Sequence, residues 1–144
     1  MDGIIDLFGV GTPSDERLSK LVRSEVIKEA ADLGINLIFT YAWNFGSEKG
    51  KTNIEAFKKE YEQKGGDVVF VELTAPVEVR IERAGTPERK QTKKHAPNAE
   101  RVAYLESILD YKSPRPFFFE NYHHIDTTGK SAQEVAEEVI SIIA

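Results

Sequence analysis

Leu18, Leu21, Val22, Val26, Ala30 and Leu33 recur at the spacing that lines one face of an α-helix. Thr12-Pro13-Ser14-Asp15 reads as the start of that helix: Thr12 as the cap, Pro13 at the first helical position, and Asp15 reaching back. Gly34 marks its end. The next stretch, Ile35 to Trp43, is β-rich and too apolar for an edge strand, which predicts a strand buried on both faces. A loop from Asn44 to Lys51 leads to a second helix start at Thr52-Asn53-Ile54-Glu55, with Ile54, Phe57 and Tyr61 on one stripe and Gly65-Gly66 as its end. Val68 to Leu73 reads as another buried strand, and Thr74-Ala75-Pro76 opens a helix reaching about Arg83. Pro97-Asn98 begins a helix carrying Val102, Leu105 and Leu109. A short strand is expected over Tyr122 to Asp126, and Ser131-Ala132-Gln133-Glu134 is a capping box opening the last helix.

Strands separated by helices imply right-handed crossovers and a mostly parallel sheet with helices on both faces, a three-layer α/β/α arrangement. The 144 residues fit one such domain over 1–144. Ligands in these sheets bind beyond the carboxyl ends of the strands, which here are Tyr41 to Asn44, Leu73 to Pro76 and Asp126 to Gly129.

Charge changes the picture. The chain carries a net charge of −5, which argues against nucleic acid as a partner. Between Arg80 and Arg101, however, seven cations face three acids. A basic island on an acidic chain suits a small anionic ligand; a solvated charged helix and loop account for it equally well. No apolar run is long enough to span a membrane, and the N-terminus carries acids where a signal peptide carries cations. With no cysteine in the sequence, thiol nucleophiles and zinc–thiolate sites are excluded. A cytoplasmic location is the expectation. His123 and His124 are adjacent, so on a strand they face opposite sides and cannot form a metal pair.

Three features in order carry a family resemblance. They are Val68-Val69-Phe70-Val71-Glu72-Leu73-Thr74-Ala75-Pro76 followed by Arg83 and Arg89; the basic connection to Arg101; and the ending from His124-Ile125-Asp126-Thr127-Thr128-Gly129-Lys130 to Val139. Together they resemble the second half of the P-loop small-molecule kinases, the group of nucleoside-monophosphate and shikimate kinases. The resemblance implies an ATP-dependent phosphotransferase using Mg2+ and a small acceptor. It implies that Arg83 stacks on or flanks the adenine and that Arg89, with a catalytic role, reaches the phosphates. Thr127, Thr128, Gly129 and Lys130 would line the base. The segment from about 84 to 101 would be a mobile lid, to which Lys94 and Arg101 add charge.

The chain also departs from that group. Its kinases begin with a strand, a G-x-x-x-x-G-K-[ST] loop and a helix, and that loop supplies the phosphate cradle. The sequence contains no such motif. The missing unit would add about 30 to 40 residues before Met1, so truncation and natural loss are both expected readings. Gly50-Lys51-Thr52 is a local stand-in as a phosphate loop, but Phe45 stands where the first glycine belongs. Catalysis by this chain alone is therefore not expected. A non-catalytic nucleotide-binding or protein-interaction domain is the alternative. Unguarded apolar strands lead to the expectation of a homodimer. Glu72 in a buried strand is anomalous: it pairs with Arg80 or a lid cation, or faces solvent.

Overall fold

The computed structural model describes residues 2–92 and 95–144. Lys93 and Lys94 of the basic segment lie outside the described residues. The protein is mixed α/β, with a two-stranded parallel sheet and helices before, between and after its strands. It divides into two compact units: residues up to Trp43 together with Ser47–Val68, and Asn44–Gly46 together with Val69–Ala144.

The first unit contains α1 (Asp2–Phe8), α2 (Pro13–Asp32) and α3 (Glu48–Glu62). The start of α2 is built as its sequence dictates. Thr12 Oγ1 accepts from Asp15 N at 3.2 Å, while the Asp15 carboxylate accepts from Gly11 N and from Ser19 Oγ, each at 2.8 Å. Ile27, Ala30, Ala31 and Ile54 are buried, and Lys64 pairs with Asp32 at 2.6 Å.

Two expectations are corrected in this unit. Ile35 to Trp43 belongs to no strand. The chain there is held through side chains rather than a ladder. Phe39 meets Phe57 edge-on at 5.5 Å, Arg23 lies over the Phe39 ring at 5.8 Å, and Tyr61 Oη donates to Ile35 O at 3.2 Å. Ile35 to Ile38 are exposed, and from Phe39 on alternate residues are half-buried: Phe39, Tyr41 and Trp43, with Thr40 and Ala42 exposed.

The second correction concerns Gly50, Lys51 and Thr52. They lie inside α3, which begins at Glu48 and not at the expected Thr52. Gly50 N donates to Ser47 O at 3.3 Å, Thr52 Oγ1 donates to Glu48 O at 3.1 Å, and Lys51 pairs with Glu55 at 3.7 Å. Gly50 is needed for close approach: a Cβ there would sit 2.5 Å from Trp43 Nε1 and 2.7 Å from Cδ1. Gly50→Val is therefore expected to lose about 1 to 2 kcal/mol, overcrowding outweighing the small gain in helix propensity. Denaturant unfolding checks it, and a variant as stable as the parent would show that the ring moves aside freely.

The second unit contains β1 (Phe70–Thr74), α4 (Val77–Gly85), α5 (Pro87–Thr92), α6 (Ala99–Ile108), β2 (Tyr122–Asp126) and α7 (Ala132–Ile143). β1 and β2 pair in parallel, from Phe70 opposite Tyr122 to Thr74 opposite Asp126. The first strand begins two residues later than expected, and the second runs over the predicted residues. Helix α4 packs on α6, and Arg80 forms a two-point ion pair with Glu106, Nη2 to Oε2 being 2.9 Å. Ala84 and Ile125 are buried. Asn98 caps α6, accepting from Arg101 N at 2.8 Å. Both arms of the Ser131–Glu134 capping box are made at the start of α7. The 84–101 segment contains α5 and the start of α6, so much of the expected lid is helical.

Candidate nucleotide-binding site

The parallel register brings the carboxyl ends of β1 and β2 side by side at Thr74 and Asp126. The chain then turns, and the turn is tied back to β1. Thr127 donates to Thr74 O twice, from its amide and from Oγ1, each at 2.8 Å. Lys130 N donates to Thr127 O at 3.1 Å and closes a four-residue turn over Thr127 to Lys130. Gly129 occupies its third position at φ +71°, a conformation that only glycine adopts without strain. A Cβ at Gly129 would meet nothing within 4 Å, so the ground over the turn is open.

The Asp126 carboxylate accepts from Thr128 Oγ1 at 2.6 Å and from Thr128 N at 2.8 Å. These two bonds hold its carboxyl below the usual aspartate value. Lys130 Nζ pairs with Glu138 at 2.6 Å.

Arg83 reaches this turn from the last turn of α4. Its Nη1 donates to Thr127 Oγ1 at 2.9 Å and its Nη2 to Thr127 O at 2.7 Å. Thr127 is buried. The guanidinium is thus a strut between α4 and the turn, with both terminal nitrogens committed and its plane fixed. Arg83 and Thr127 to Lys130, named from different parts of the sequence, come together in one place.

Arg89 is not tied into that group. Its amide donates to Thr86 Oγ1 at 3.4 Å, and its buried Nε has no hydrogen-bond partner among the described residues. Gly50, Lys51 and Thr52 belong to the other unit and are absorbed in a helix.

A second polar cluster was not expected. Among the described residues Glu72 pairs with neither Arg80 nor a lid cation. Its Oε2 accepts from Tyr122 Oη, from Ser113 Oγ at 2.8 Å and from Arg115 Nη2 at 3.3 Å. Burial pushes the Glu72 carboxyl up, but the bonds from Tyr122, Ser113 and Arg115 outweigh it and hold the group below the usual glutamate value. Burial and the Glu72 carboxylate push the Tyr122 phenol up. Arg115 also lies over the Tyr122 ring at 5.1 Å. The register, Phe70 opposite Tyr122, together with period-two alternation puts Glu72 and Tyr122 on one face of the sheet; nothing local in the sequence brings Ser113 and Arg115 to it.

Among the described residues no group of three His, Cys, Asp or Glu side chains could hold a metal ion. No described helix is long and apolar enough to cross a membrane. Comparison with protein-family models, curated proteins and solved structures finds no match to this chain.

Proposed function

We propose that this chain carries the base-binding part of an ATP site of the P-loop kinase type, within a three-layer α/β/α fold to which β1 and β2 contribute a parallel pair. The observation that supports this most is the strut from Arg83 to Thr127, which joins an arginine at the end of one helix to an open turn beyond the strand ends. Such a place suits a planar base: a guanidinium fixed in orientation offers cation–π stacking, and the turn offers backbone polar groups.

The residues present fit the adenine end of ATP, and at its phosphate end they offer a lid cation but no phosphate loop. The sequence has no G-x-x-x-x-G-K-[ST], and Gly50-Lys51-Thr52 is helical. Magnesium in such sites is held largely by phosphates and water, so this chain's own residues bind and orient the base and do not complete the metal site. The lid arginine Arg89 serves the phosphates from α5 in this reading. Phosphoryl transfer draws mainly on electrostatic stabilisation around the phosphates, so the chain alone binds nucleotide and does not transfer its phosphate.

Titration calorimetry with ATP tests this. A dissociation constant on the order of 1 mM is expected. Turnover on small acceptors should stay below about 1 per second, the low end for kinases. Absence of binding at 10-fold higher concentration, on the order of 10 mM, would overturn the nucleotide reading. Turnover above the stated rate would overturn the binding-only reading.

The first unit favours self-association as well. Leu21, Val22, Val26, Leu33 and Ile35 are exposed, and Ile38 is 83% exposed. In this reading a second copy covers them in a homodimer. Sedimentation at micromolar concentration should give twice the chain mass of 16.2 kDa; a stable species of the single-chain mass would contradict it.

A further inference from the structure

We propose that a cleft in the second unit binds a small aromatic carboxylate, at a site separate from the turn after β2. The cleft has a volume of about 570 Å³ and is bordered by Phe45, Phe118, Lys112, Arg115 and Asp110. That volume falls in the range of small-molecule sites, about 300 to 1,000 Å³.

One side is aromatic. The rings of Phe45 and Phe118 lie 6.2 Å apart at a tilt of 37°, and Phe118 is 39% exposed. A ligand ring can pack against such rings in the offset or edge-to-face arrangements that aromatic pairs prefer.

The other side is cationic and held in place. Arg115 donates to Ser113 Oγ at 2.6 Å, to Pro114 O at 3.2 Å and to Glu72 Oε2 at 3.3 Å. A guanidinium has about five N–H donors, so these three bonds fix its position, and two donors have no partner among the described residues. Its planar fork matches a carboxylate. Lys112 is exposed and forms no ion pair among the described residues.

The walls are pinned to each other. Phe45 N donates to Asp110 O at 2.6 Å, and Asn44 Oδ1 accepts from Asp110 N and from Gly46 N, each at 3.1 Å. The Asp110 carboxylate accepts from Lys112 N at 2.9 Å. It also borders the cleft, and its charge opposes a second negative charge on the ligand. That favours a monoanion over a phosphate. An apolar ring carrying one carboxylate satisfies each wall. The site is independent of the adenine reading, because Glu72 and Tyr122, which anchor it, precede the carboxyl ends of the strands.

The test is a titration of the full chain with benzoate, followed by amide ¹H–¹⁵N spectra. Saturable shifts are expected at Phe45, Lys112, Arg115 and Phe118, with a dissociation constant on the order of 1 mM for so small a ligand. Benzyl alcohol, benzylamine and phenyl phosphate should each bind at least about threefold more weakly, the size of one exposed charge contact. Lys112→Gln should weaken benzoate by a similar factor, about threefold, with the spectrum of the folded chain retained. Phe118→Ala should weaken it further. Absence of saturable shifts at the cleft would overturn the proposal. So would equal binding of benzylamine, or benzoate affinity unchanged by Lys112→Gln.

Discussion

Glu72→Ala is expected to cost the second unit about 2 to 4 kcal/mol of stability. The Glu72 side chain is only 18% exposed, and one of its oxygens accepts from Tyr122, Ser113 and Arg115. Its removal leaves the buried Ser113 hydroxyl without its acceptor, the Tyr122 hydroxyl likewise, and Arg115 without its counter-charge. Glu72→Gln keeps the shape and one acceptor and should lose about half as much. A change under about 0.5 kcal/mol for Glu72→Ala, the level of an ordinary surface substitution, would show that the cluster contributes nothing.

The same group sets a pH dependence. Its carboxyl is held below the unfolded value, so the stability it contributes is present above that value. That contribution fades as the pH falls through the folded value. Tyr122 acts at the other limb. Its phenol is raised, so its contribution is present below the usual phenol value and fades as the pH rises past it. Acid unfolding of Glu72→Gln should lack the portion due to Glu72, and a parent-like acid limb in that variant would contradict the assignment.

Local signals were readable in the sequence, and long-range ones were not. Thr12, Asn98 and the Ser131–Glu134 pair cap the helices as their spacing predicts, because a cap involves residues within one turn. β2 occupies the predicted residues, and β1 starts two residues later and ends one later than expected. Ile35 to Trp43 has the composition of a buried strand, but a strand needs a neighbour, and composition does not supply one. Helix α3 starts at Glu48 because nothing stops the helix from running back through Gly50, whose missing Cβ admits the Trp43 ring. At the candidate site, Arg83 and the turn at Thr127 to Lys130 were named by resemblance. The strut between them is a contact 44 residues apart, visible only once β1 and β2 are in register. The partners of Glu72 stayed hidden for the same reason, since Ser113 and Arg115 reach it from a loop without periodicity.

Arg83→Ala is expected to lower ATP affinity at least tenfold, about 1.4 kcal/mol, and to cost about 1 to 2 kcal/mol of stability. The stability loss is bounded because Thr127 keeps other bonds: its Oγ1 and amide still donate to Thr74 O, and its carbonyl still accepts from Lys130 N. The affinity loss has two sources, a lost stacking cation and a turn no longer held to α4. Arg83→Lys restores the charge without the planar fork and should recover only part of either. Calorimetry on the folded variants reads both. Parental affinity in a folded Arg83→Ala variant would place the base elsewhere.

The most direct test of the proposed adenine site is an amide ¹H–¹⁵N titration of the unaltered chain with ATP. Saturable shifts at Thr127, Thr128, Gly129 and Lys130, together with Arg83, are the predicted result. Saturable shifts confined to other residues, or none at the turn on the order of 10 mM ATP, would contradict it.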